Sequence, residues 1–121
     1  YHVGGTIAAW NLTQYHFNRT KNSITGRTKS TGTEFNVVFF HFQYVKFIKD
    51  GSYDIGWYYI SSKAKKMFYV PYLKKIAEIE GRIHDLNADY ETGFTDFKAN
   101  SLKNIMKSGI KKIFGYNIMK K

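Results

Sequence analysis

The run Val37-Val38-Phe39-Phe40-His41-Phe42 constrains this chain more than any other stretch. Branched and aromatic side chains favour extended backbone, and consecutive side chains of a strand point to opposite faces. Residues 34–43 therefore predict a strand buried on both sides, as in the interior of an α/β sheet. Residues 7–12, apolar after Gly4-Gly5, predict a second strand. Residues 18–32 are polar and broken by Gly26 and Gly32, which predicts a loop or a hairpin with a weak strand near Ile24. Asp50-Gly51 marks a turn. Tyr53, Ile55, Trp57 and Tyr59 then alternate as a half-buried strand would, although an aromatic-rich loop fits the same residues.

The second half has a different period. Pro71 suits the first turn of a helix, where its missing N–H costs nothing. Leu73, Ile76, Ala77, Ile79, Ile83 and Leu86 recur at three- and four-residue spacing, which predicts an amphipathic helix over 71–87. Glu78 and Glu80 are expected in solvent, as charged side chains mostly are. Leu102, Ile105, Met106, Ile110 and Ile113 predict a second helix over 101–114, closed by Gly115. Short strands followed by two amphipathic helices make an α+β unit, or the tail end of a larger α/β domain. The expected division is a domain over 1–100 and a basic amphipathic helix and tail over 101–121.

Composition narrows the class. Apolar residues make up 43% of the chain and aromatics 18%, more than a disordered chain carries, so a packed core is expected. There is no cysteine, which excludes disulfides, thiolate metal sites and a cysteine nucleophile. That absence favours a cytoplasmic setting. No apolar run is long enough to span a bilayer. The chain opens on Tyr1 without a signal peptide, and residues 4–12 resemble mid-protein sequence, so a piece of a longer protein is expected. The net charge is +10, and no acid precedes Glu34 or follows Asp96. Such a charge attracts nucleic acid, anionic lipid or phosphorylated substrates.

Two short segments could carry chemistry. His41 and Gln43 close the apolar run, and they share a face with Val37 and Phe39. An imidazole there could ligate a metal or donate to a phosphate, or it could be a core histidine bonded to a carbonyl. In the second, Trp10 beside Asn11 offers an apolar face and a two-way hydrogen bonder, a pairing suited to sugars. A buried indole with a turn asparagine is the plainer alternative. His2, His16 and His84 show no metal-ligand spacing.

Together, Ala8-Ala9-Trp10-Asn11-Leu12 and Val38-Phe39-Phe40-His41-Phe42 resemble a paired signature of bacterial nucleotide-sugar-dependent glycosyltransferases. In that group Trp-Asn-Leu is followed by a variable hairpin and a strand ending in Phe-His-Phe-Ser-Gly. The likeness covers about residues 4–44, and more loosely Tyr69-Val70-Pro71-Tyr72-Leu73. It implies an A-type fold with a nucleotide-sugar domain upstream, and a divalent metal, Mn or Mg, held by an Asp-x-Asp motif. It also implies sugar transfer to a polysaccharide or lipid-linked acceptor. His41 would inherit the metal and diphosphate role, and Trp10 and Asn11 would line the acceptor or sugar side; Gln43, at the strand end, is a further candidate for substrate binding. Gln43 and Tyr44 stand where the family has Ser and Gly, and no Asp-x-Asp occurs in the chain. Such a fragment would be inactive alone.

The tail adds a third feature. Lys103, Lys107, Lys111 and Lys112 interleave with apolar residues, so the segment could lie on an anionic membrane at the inner face, or could be a domain helix with a solvated lysine side. The competing reading of the whole chain is a non-enzymatic module that binds nucleic acid or another polyanion. Tyr53, Trp57, Tyr58, Tyr59, Phe68 and Tyr69 would then stack bases beside Lys63, Lys65 and Lys66.

Overall fold

The computed structural model describes residues 2–90, Gly93, Gly109, Lys111, Ile113 and 116–120. It is a mixed α+β chain of short strands and one long helical run, and it divides into two compact units. The first comprises Tyr1–Gln43 with Tyr58–Pro71, and the second Tyr44–Trp57 with Tyr72–Lys121.

The first unit holds two sheets. Strand β1 (Ile7–Ala8) runs parallel to β5 (Phe40–His41), with Ile7 opposite Phe40 and Ala8 opposite His41. Strands β2 (Tyr15–Arg19), β3 (Ile24–Thr28) and β4 (Glu34–Asn36) form an antiparallel meander. The 18–32 segment is thus the hairpin of its two alternatives. Gly26 lies under the Phe35 ring of the neighbouring strand: a Cβ there would lie 2.3 Å from that ring and would have to displace it.

The 34–43 run is not one strand buried on both sides. It changes partners midway. Residues 34–36 pair with β3, Val37 N–H still donates to Ile24, and Val38 N–H then donates to Gly4 at 2.9 Å. The side chains do not bury together on both faces. Phe40 stacks on Phe68 (centroids 4.5 Å, planes 19° apart), and Phe42 meets Tyr69 edge-on, while Val38 and Phe39 stand exposed. The 7–12 strand is likewise short. It stops at Ala8, and Leu12–Gln14 forms a 3-10 turn.

The helix starts earlier than Pro71. Ser61 caps α1 (Ser62–Ala64) by accepting from Ala64 N–H at 3.2 Å, a π-helical turn follows at Lys65–Tyr69, and α2 (Val70–Leu86) continues. Proline inside a helix leaves the carbonyl four residues back without its donor. That carbonyl is Met67 O, and Arg19 Nη1 donates to it at 2.9 Å. Leu73 and Glu80 are the buried residues of α2. Ile79 and Leu86 lie off that stripe and are exposed, so the sequence assigned them to the wrong face. Glu78 is in solvent, paired with Lys75, whereas Glu80 is buried.

In the second unit, β6 (Lys46–Phe47), β7 (Tyr53–Asp54) and β8 (Ile118–Met119) form an antiparallel sheet with β7 in the middle. Gly51 makes the Asp50-Gly51 turn between β6 and β7 with a φ of 79°. The alternation over 53–59 ends at Asp54 as a strand, so the rest is the aromatic-rich loop. Gly109, Lys111 and Ile113 are helical, and the remainder of the expected 101–114 helix lies outside the described residues. Among the described residues no helix is long and apolar enough to cross a membrane.

Candidate functional site

Parallel pairing of β1 and β5 puts their carboxyl ends side by side. The chain leaves β1 toward Trp10, and β5 ends on His41. The two rings lie 6.0 Å apart, tilted by 37°. Phe39, on the same strand face as His41, packs edge-on to it at 4.7 Å. Tyr58 meets Trp10 edge-on at 6.5 Å. Trp10 is 46% exposed, Phe39 49% and Tyr58 38%, and His41 is exposed as well. These four rings form an open aromatic platform, and His41 is not walled into a core.

Asn11 has a different place from Trp10. It is buried, its Oδ1 accepts from Ala8 N–H at 2.9 Å, and its Nδ2 donates to Thr6 O at 2.8 Å. The side chain thereby locks the turn that swings Trp10 outward. Gln43 is exposed beyond the end of β5. The next residue, Tyr44, has a φ of 64°, the left-handed region that favours glycine.

A metal site needs more than this platform offers. The described residues contain no group of three His, Cys, Asp or Glu side chains that could hold an ion. The rings beside His41 belong to Trp10 and Phe39, which are not ligands. These residues alone do not fit the implied metal, and no step is assigned through it.

The lysine set is also altered. Lys111 is 1% exposed and so is not a surface lysine. Its Nζ pairs with Asp54 Oδ1, donates to Gly56 O at 2.9 Å, and sits 4.3 Å from the Trp57 ring centroid. Asn117 Nδ2 donates to the same carbonyl at 3.1 Å, and Asp54 Oδ1 also accepts from Gly56 N–H. Charge on Asp54 is thus met on both sides, as burial of a carboxylate demands. Lys103, Lys107 and Lys112 lie outside the described residues. The expected base-stacking surface loses half its rings, because Tyr53, Phe68 and Tyr69 are buried. Burial pushes the Tyr69 phenol up to about 12, and among the described residues its hydroxyl has no hydrogen-bond partner.

Sequence reasoning missed a cleft in the first unit. It has a volume of about 210 Å³ and lies between the β2–β3 hairpin and the start of the helical run. His16, Lys29, Tyr59 and Lys63 line it over a floor that includes Leu12, Phe17 and Met67. Only the hairpin register, with Tyr15 opposite Thr28, brings Lys29 to this side, and no periodicity reveals that register. Compared with protein-family models, curated proteins and solved structures, the chain matches none.

Proposed function

We propose that the chain is the C-terminal portion of a bacterial glycosyltransferase. The enzyme would move a sugar from a nucleotide-sugar to a polysaccharide or lipid-linked acceptor. In this reading the chain is the tail end of a larger A-type α/β domain and is inactive alone. The observation that carries it is the open contact of Trp10 with His41 at the carboxyl ends of a parallel strand pair, where ligands of α/β sheets sit. Residues that resemble a family signature some thirty positions apart in sequence share one exposed surface.

The parts have distinct tasks. The Trp10 indole offers a flat apolar face for the C–H side of a sugar ring, and Tyr58 and Phe39 widen it. The His41 imidazole, at the edge of that face, can bond a hydroxyl or, when protonated, a phosphate oxygen. Asn11 fixes the turn beneath. The left-handed Tyr44 backbone also supports the resemblance, since the family places glycine there. A divalent metal in the whole enzyme would neutralise the donor diphosphate, from ligands outside this chain.

Titration with maltose and with UDP-glucose, followed by the NMR signals of the Trp10 indole and the His41 ring, tests this. Both signals should shift, and Trp10→Ala should abolish the maltose effect in a folded protein. Unmoved signals at saturating sugar would end the reading. The net charge of +10 favours a polyanion-binding module as the second reading. A single-stranded oligonucleotide binding below micromolar, with steep loss in salt, would select it.

A further inference from the structure

We infer that the cleft beside the platform receives the anionic group of a sugar, a phosphate ester or a uronate carboxylate. Its sugar half rests on the carbohydrate reading above. The cleft and the platform are consecutive along the same two stretches of chain. From Trp10 the chain runs directly to Leu12, and from Tyr58 to Tyr59 and Ser61, all of which line the cleft. Two to three residues of extended chain cover about 10 Å at most, so a short oligosaccharide on the platform reaches the cleft.

Charge selects the occupant. Lys29 and Lys63 line the cleft together with His16, and among the described residues no aspartate or glutamate lines it. An anion entering here meets a lining with two lysines and, among the described residues, no carboxylate. The floor is apolar and buried at Leu12, Phe17 and Met67, which suits the carbon face of a ring. Tyr59, 68% exposed, stands at the rim as a further ring wall. The volume of about 210 Å³ lies below the roughly 300–1,000 Å³ that hold drug-sized ligands. The cleft therefore suits one ring rather than a whole nucleotide-sugar, and assigns it to the acceptor.

The experiment is an amide-resolved NMR titration of the full chain with glucose 6-phosphate, glucuronate, glucose and inorganic phosphate. Hydrogen bonds with a charged partner are stronger than neutral ones, so an anionic sugar should bind about ten-fold or more tightly than glucose. Shifts should centre on Lys29 and Lys63. Whichever of the phosphate ester and the carboxylate binds more tightly identifies the anion. In the double variant Lys29→Gln, Lys63→Gln, with an unchanged circular dichroism spectrum, that preference should vanish.

Equal affinity for glucose and its anionic relatives overturns the proposal, as do shifts confined to other surfaces. Inorganic phosphate binding as tightly as glucose 6-phosphate removes the sugar half. Trp10→Ala separates the two readings: it should weaken maltose binding while the preference for glucose 6-phosphate persists.

Discussion

Arg19 donates to the one carbonyl that Pro71 leaves without its helical donor. The bond from Arg19 Nη1 to Met67 O is 2.9 Å long and joins residues 48 apart in sequence. It lets a proline sit in a helical run that starts at Ser62 rather than at the proline itself.

Arg19→Ala should therefore destabilise the chain by about 1.5–3 kcal/mol, the range for losing a hydrogen bond made by a charged group. In a Pro71→Ala background the helix supplies its own N–H, and the same substitution should cost markedly less. A double-mutant cycle by urea unfolding reads the coupling. Equal costs in both backgrounds would show that Arg19 acts independently of the proline.

Breaking the Lys111–Asp54 pair leaves a charge in a sealed place. Lys111→Met should cost about 3–5 kcal/mol, because the Asp54 carboxylate remains. Changing both residues, Lys111→Met with Asp54→Asn, should recover part of that loss. Thermal unfolding of the two variants against the parent chain checks both statements. A loss below about 1 kcal/mol for Lys111→Met would mean the pair is solvated.

Tyr69 gives a pH dependence. Its phenol is held above the ordinary value, at about 12, by burial. The group is neutral in both folded and unfolded chains below pH 10, so its contribution is fully present there. As pH rises from about 10 toward 12 the unfolded phenol ionises first, and that contribution is lost. Tyr69→Phe should blunt the alkaline fall in stability. Near neutrality it should be neutral or slightly stabilising, because the buried hydroxyl has no hydrogen-bond partner among the described residues. Unfolding curves between pH 8 and 12 decide it.

Tyr44→Gly should stabilise the chain by about 1 kcal/mol. The gain comes from relieving a left-handed backbone that costs about 1–2 kcal/mol for a residue with a Cβ. The flexibility added to the unfolded chain offsets part of it. Chemical denaturation measures it, and a clear loss of stability would show that the tyrosine ring's packing outweighs the strain.

Much of the candidate site was legible in the sequence, and the reasons are local. His41 follows Phe39 by two residues, so their shared face followed from strand period alone. Asp50-Gly51 announced its turn through glycine's backbone freedom. What stayed hidden depends on partners distant in sequence. No pattern in 34–43 shows that it pairs first with β3 and then with β1. The apolar run therefore looked like a single buried strand. Pro71 looked like a helix start because the guanidinium that compensates it lies in β2. Ser61, a good capping residue, was the local signal that could have corrected this. Glu80 deceived for the opposite reason: charge argued for solvent, while its position three and four residues after Ala77 and Ile76 placed it on the stripe headed by Leu73.

The pairing of β8 with β7 sets an order of assembly. Tyr53 faces Met119, and Asp54 faces Ile118. During synthesis the middle strand of that sheet leaves the ribosome long before its second neighbour exists. The first unit can collapse while translation continues, but the second must wait for residue 119 to emerge. Until Lys111 emerges Asp54 lacks its ammonium partner, and until β8 follows the nascent chain exposes a strand edge that invites a chaperone or a wrong partner.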